Sequence, residues 1–285
     1  MSALMHSEHT LLTEITTEIA TAEVAIWAIA VGSCAIVVGT VLAHSARSRQ
    51  QPDRTVEARN AALQIGGMLT LFIALAVQVH LGGWLTSADM GVTNWFVAHR
   101  SPTLTSAARA VTDLGSPVVI AAIAIAAAVI IGYRHRSVLP AVTIVATVAL
   151  AGAASSLTKI VVARARPPAE LHLVTETDFS FPSGHVTGTV ALLGVVLVVA
   201  PITHRWVGVV AATAAIAMWL LVATSRLYLG VHWLTDVLAG TVLAIAVVMV
   251  TTTALRLFGS PVPRNTDDPG HAEGATQPHA PVTMA

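Results

Sequence analysis

Seven apolar runs of 15 to 26 residues, each bounded by polar or charged turns, occupy residues 25–43, 61–79, 117–133, 138–157, 186–200, 206–224 and 232–257. A helix needs about 20 apolar residues to cross a hydrocarbon core of about 30 Å. Backbone groups inside that core have no water to bond, so a chain built of such runs satisfies them within helices. The fold class this predicts is all-α: a polytopic transmembrane helix bundle. Only 11% of residues are charged, where a soluble domain carries roughly 25%, and the net charge of zero argues against nucleic acid as a partner.

The connectors set the expected organisation. Residues 1–24 hold Glu8, Glu14 and Glu18 and begin without the positive stretch of a signal peptide, which reads as a short extracytoplasmic acidic tail. Residues 25–60 form an extra N-terminal transmembrane helix followed by a loop with Arg47, Arg49, Arg54 and Arg59. A six-helix core over 61–258 and a disordered cytoplasmic tail over 259–285 complete the chain. Arg134, Arg136, Arg205, Arg256 and Arg264 fall on the same side as the arginine-rich loop. Cytoplasmic loops collect such charges, so the opposite ends of the helices face outward and the C-terminus faces inward. Residues 81–115 are too polar to span and are expected as short amphipathic helices at the interface, with Asp89, Asn94 and Arg100 on a solvated face.

Ionisable groups at the edge of a span are functional candidates, because an unpaired charge at membrane depth costs several kcal/mol. Three clusters stand out between residues 159 and 236. The first is Lys159, the one lysine among fifteen basic residues, with Arg166-Pro167. The second is Pro182-Ser183-Gly184-His185 at the start of an apolar run. Backbone N–H groups at a helix start are unpaired and bind anions, and Gly184 allows close approach. An ordinary serine N-cap would look the same, but it leaves His185 unexplained. The third joins Arg226 to His232 and Asp236. A carboxylate four residues from a histidine can hold one ring nitrogen and leave the other free to attack, although the pair is equally compatible with a structural hydrogen bond. Arg226 brings a planar fork suited to phosphate. Arg164 reads as a headgroup contact, and Glu170, His172, Glu176 and Asp178 as a solvated loop rather than a metal site.

Lys159-x6-Arg166-Pro167, Pro182-Ser183-Gly184-His185 and Ser225-Arg226-x5-His232-x3-Asp236 resemble the three signature motifs of the type-2 phosphatidic acid phosphatase family. The resemblance implies a phosphatase without metal or other cofactor, acting on a membrane lipid phosphate. It casts His232 as nucleophile, Asp236 as its orienting partner and His185 as acid and then base. Lys159, Arg166, Ser183, Gly184 and Arg226 become the phosphoryl ligands. A polyprenyl pyrophosphate, phosphatidic acid and phosphatidylglycerol phosphate are the candidate substrates, the first preferred by analogy. A lipid phosphotransferase would use the same residues, and a transporter or scaffold would leave them without a role. The Gly66-Gly67 pair is too weak a pattern to define an oligomer.

Overall fold

The computed structural model describes residues 24–26, 28–40, 54–200 and 202–258. Among them are nine α-helices and no strand: α1 (Val24–Thr40), α2 (Arg54–Leu81), α3 (Trp84–Ala98), α4 (Pro102–Leu114), α5 (Pro117–His135), α6 (Val138–Val162), α7 (Gly184–Val199), α8 (Arg205–Tyr228) and α9 (Leu234–Phe258). The acidic segment 1–23, most of the arginine-rich loop and the tail from 259 onward lie outside the described residues.

Five helices, α2, α5, α6, α8 and α9, are long and apolar enough to cross a membrane. Seven crossings were expected, but α1 and α7 are shorter apolar helices. At 16 residues and ~1.5 Å per residue, α7 is only about 24 Å long. Its first turn is taken up by the polar cluster described below. α2, by contrast, starts at Arg54 rather than residue 61, since nothing between Thr55 and Asn60 interrupts a helix. The segment 81–115 forms the two short helices α3 and α4, as its patchy polarity predicts.

Local signals place the helix starts. Ser101, Ser116 and Ser137 cap α4, α5 and α6, each accepting a bond from a backbone N–H in the first turn. Pro102 and Pro117 follow the first two caps, where a missing N–H costs nothing. α6 ends with Ala163 at φ 47, a left-handed conformation that costs a non-glycine residue about 1–2 kcal/mol. The turn sends the chain from Lys159 straight into Arg164 and Arg166.

Three of the five apolar clusters among the described residues hold α5 to α9 together. Ile120, Ala124, Ala128, Ile144, Leu192 and Val195 join α5, α6 and α7. Ala151, Ala191, Leu243, Ala244 and Val247 join α6, α7 and α9, where small residues let the helices approach closely. Val186, Val222, Leu227 and Val237 tie α8 to α7 and α9. Thr147 Oγ1 donates to Thr251 Oγ1 at 2.8 Å, an interhelical bond between α6 and α9. Large apolar side chains point away from this core, Val118 and Trp206 at 80% exposure among them, as lipid-facing positions do. α6 and α8 finish at the end of the bundle where α7 and α9 begin. Every cluster singled out in the sequence is therefore brought to that one end.

Candidate active site

The last turn of α6 and the first of α7 open onto a cavity of about 460 Å³ lined by Lys159, Arg166, Gly184, His185, His232 and Ser155, among others. His232 lies at its wall. His232 precedes α9 rather than starting it, and is 1% exposed. Its Nδ1 lies 3.3 Å from Asp236 Oδ2, and its Nε2 lies 3.2 Å from Arg166 Nη1. A guanidinium can only donate, so Nε2 is the acceptor and Nδ1–H donates to the carboxylate. This tautomer leaves a lone pair directed into the cationic cavity. Burial first, and then Arg226, Arg166 and Lys159, hold the His232 imidazole well below the ordinary histidine range, so it is neutral at pH 7.

Asp236 is completely buried and fully bonded. Oδ2 accepts from the Trp233 amide at 2.9 Å and from Ser180 Oγ, besides His232. Oδ1 accepts from Arg164 Nη1 at 2.6 Å. Arg164 Nη2 reaches Asp89 Oδ2, also at 2.6 Å. Asp89 in turn accepts from the Thr235 amide at 2.9 Å and the Thr235 hydroxyl at 2.8 Å, tying α3 to the start of α9. Arg164 also lies over the Trp233 ring, 5.6 Å from its centroid. Arg164 is thus a clamp on the histidine's partner, not a headgroup contact, and Asp89 at 2% exposure is not on a solvated face. Asn94 is exposed as expected, whereas Arg100 turns inward and donates to the carbonyls of Tyr228 and Leu171.

The helix start at Ser183 has the expected form with one addition. Ser183 is the N-cap of α7 but makes no cap bond, and its buried hydroxyl has no protein partner. Its amide donates to the Asp236 carbonyl at 3.0 Å, which fixes the start of α7 against α9. Gly240 permits that approach, since a Cβ there would fall 2.8 Å from the Ser183 carbonyl oxygen. At Gly184 a Cβ would meet Ser155 Oγ at 3.8 Å and Lys159 Cε at 3.9 Å, ordinary contacts. Packing therefore does not demand glycine at 184, which leaves an open approach to the amides of the first turn. His185 lines the cavity with no hydrogen-bond partner among the described residues.

Arg226 lies in the last turn of α8, 1% exposed, and α8 runs past Ser225 to Tyr228 before the chain turns. Gly230 makes that turn at φ 73, and a Cβ on it would lie 2.3 Å from the Leu171 carbonyl oxygen. Arg226 Nη1 donates to Thr112 Oγ1 of α4 at 2.8 Å, and its Nη2 pairs with Glu176. Arg166 and Lys159 are likewise paired, with Asp178. Glu176 and Asp178 are therefore anions seated on the three cations rather than scattered loop residues, Asp178 keeping 54% of its side chain exposed to solvent. Burial pushes both carboxyls up, but Arg226 and Arg166 beside Glu176, and Lys159 and Arg166 beside Asp178, outweigh it and hold each below the ordinary carboxylate range. No group of three metal-ligating side chains occurs among the described residues.

The PAP2 superfamily profile matches residues 140–259. An undecaprenyl-diphosphatase from Sulfolobus acidocaldarius is 34% identical over 127 residues, 41% of this chain and 55% of that protein. The match thus spans about half the length of that relative. Phosphatidylglycerophosphatase B of Bacillus subtilis is 28% identical over 184 residues, 61% of this chain and 85% of that protein. The crystal structure of a transmembrane PAP2 type phosphatidylglycerolphosphate phosphatase from Bacillus subtilis superposes with a TM-score of 0.62 at 23% identity, covering 68% of this chain and 96% of that one, so the fold is shared. The profile falls on the helices whose ends build the cationic cavity, and over these residues the chain is similar to the PAP2 superfamily.

Proposed function

We propose that this protein is an integral membrane phosphatase that removes phosphate from a membrane lipid through a phosphohistidine intermediate. The observation that carries the reading is the tautomer of His232, with Nδ1–H held by Asp236 and Nε2 beside Arg166 in a cavity that Lys159 also lines. Nε2 attacks phosphorus as the bond to the lipid oxygen breaks. That oxygen leaves with the electron pair and takes a proton from His185. Water then attacks phosphorus, His185 accepts its proton, and the N–P bond breaks to free phosphate. Lys159, Arg166, Arg226, the Ser183 hydroxyl and the Gly184 amide hold the phosphoryl oxygens, since phosphoryl transfer depends chiefly on positioning and charge neutralisation.

The chain's core in this reading is the six helices α2 and α5–α9, with α1 as an N-terminal addition. The distribution of connector arginines puts the cavity at the extracytoplasmic face and the C-terminus inside. The preferred substrate is a polyprenyl pyrophosphate, supported by the relative from Sulfolobus. Phosphatidylglycerol phosphate is the second choice, supported by the relative from Bacillus. Phosphate release from a panel of polyprenyl pyrophosphate, phosphatidic acid and phosphatidylglycerol phosphate tests the reading. Release is expected to persist in excess chelator and to be inhibited by vanadate. Loss of activity in chelator would oppose metal-independent chemistry, and phosphate transfer to an added alcohol in place of release would identify a phosphotransferase.

The depressed His232 pKa has a consequence for pH. Protonation of Nε2 removes the nucleophile, so kcat/KM falls as pH drops through the pKa of the free enzyme. Burial and the neighbouring cations lower that pKa from 6.5. The acid limb of kcat/KM is therefore expected below pH 6.5. An acid limb above pH 6.5 would contradict the assigned environment of His232.

A further inference from the structure

Lys159, Arg166 and Arg226 form the pocket proposed for phosphate, yet each already bears a carboxylate. Asp178 Oδ2 lies 3.1 Å from Lys159 Nζ, and its Oδ1 bonds Arg166. Glu176 Oε1 bonds Arg226, and Oε2 lies 3.7 Å from Arg166. The side chains of Lys159, Arg166 and Arg226 are 11%, 8% and 1% exposed, against 54% for Asp178 and 21% for Glu176. The acids therefore cover the cations from the open side. Both acids sit on a short stretch of connector. Its backbone is tied down at Leu173, whose amide donates to the Leu229 carbonyl, and at Ser180, whose amide donates to the Arg164 carbonyl. None of the amides from Val174 to Phe179 makes a backbone bond outside helices. The Asp178 carbonyl accepts from Arg166 Nε at 2.8 Å and the Phe179 carbonyl from Lys159 Nζ, so the backbone here is bonded to two of the same cations and the carboxylate side chains are what can turn away.

Resting on the phosphatase reading, we infer that Glu176 and Asp178 are specificity-determining residues: a resident pair of anions that only a headgroup carrying at least two negative charges displaces from Lys159, Arg166 and Arg226. Three cations face two carboxylates. Seating a phosphate beside the acids would crowd like charges, so the incoming group replaces them. A phosphate monoester carries −1.5 to −2 at pH 7 and three acceptor oxygens, which restores every ion pair lost. A terminal pyrophosphate carries more. A phosphodiester brings a single charge and two unesterified oxygens, so it leaves cations unpaired in a buried site, where that is costly. The bilayer around the protein presents phosphodiester headgroups at high density, and dephosphorylated products that remain diesters would otherwise compete for the site. The pair excludes them by charge.

The test compares binding of orthophosphate and dimethyl phosphate at pH 8 by calorimetry, in the intact protein and in Glu176→Gln, Asp178→Asn and the double variant. The intact protein is expected to prefer orthophosphate. In the double variant dimethyl phosphate is expected to bind at least about tenfold tighter than before, a larger gain than orthophosphate shows, so that the preference narrows. In lipid micelles, inhibition of phosphate release by phosphatidylglycerol is expected to strengthen in parallel. An unchanged preference in a folded double variant would overturn the charge filter and leave the phosphatase reading standing. Wild-type protein that binds orthophosphate selectively but releases no phosphate from any lipid would overturn the phosphatase reading instead.

Discussion

Replacing His232 by alanine is expected to lower phosphate release by at least about a thousandfold, the scale on which loss of an attacking residue removes a covalent route. The imidazole is held by a buried carboxylate and presents its unprotonated Nε2 to the cavity, accepting from Arg166, and neither Lys159 nor an arginine can replace it. The variant is expected to remain folded and to bind orthophosphate, because Lys159, Arg166, Arg226 and the start of α7 are untouched. Measurement of turnover and phosphate binding on the same preparation separates loss of chemistry from loss of structure. Residual turnover within tenfold of wild type would show that His232 is not the nucleophile.

Arg164→Ala is expected to have the second largest effect, on stability and turnover together. Arg164 bridges Asp89 and Asp236 with two bonds of 2.6 Å, and its removal strands two buried carboxylates near one another. Breaking a buried pair by removing one partner costs about 3–5 kcal/mol. Asp236 would then lose the bond that fixes its Oδ1, and turnover is expected to fall about a hundredfold. Adding Asp89→Asn to Arg164→Ala removes one stranded charge, so stability is expected to recover in part while turnover stays low. Arg164→Lys keeps the charge but not the fork that spans both acids, and is expected to fall between wild type and Arg164→Ala. Thermal unfolding in detergent and kcat, measured for all three, check this. A double variant that regained full turnover with its stability would show that Arg164 is only structural.

The residues of the three motifs were legible because their chemistry restricts residue type at helix ends, which hydropathy locates well. Lys159, Ser183, His185, Arg226 and His232 could be named without knowing how the helices pack. Arg164 and Asp89 could not, because their partners lie 72 and 75 residues away in sequence and no spacing rule links a connector to a helix that far off. Asp89 also sits in a segment whose overall polarity suggests solvent, yet the turn at Ala163 and the packing of α3 on α9 bury it. Glu176 and Asp178 were misplaced for a related reason. A loop's composition reports its average environment, and only the convergence of α6, α8 and the connector shows that two of its acids face cations. The helix boundaries shifted by a few residues wherever polar residues continued a helix beyond its apolar run, as at Arg54 and Lys159.

The central claim is that His232 Nε2 takes the phosphoryl group. Its most direct test is an alkaline quench during turnover of a lipid phosphate, followed by peptide mapping by mass spectrometry. Phosphate is expected on His232 in the wild-type protein and absent in His232→Ala. Steady release of phosphate with no modified His232 at any quench time, or a phosphoryl group mapped to another residue, would contradict the account.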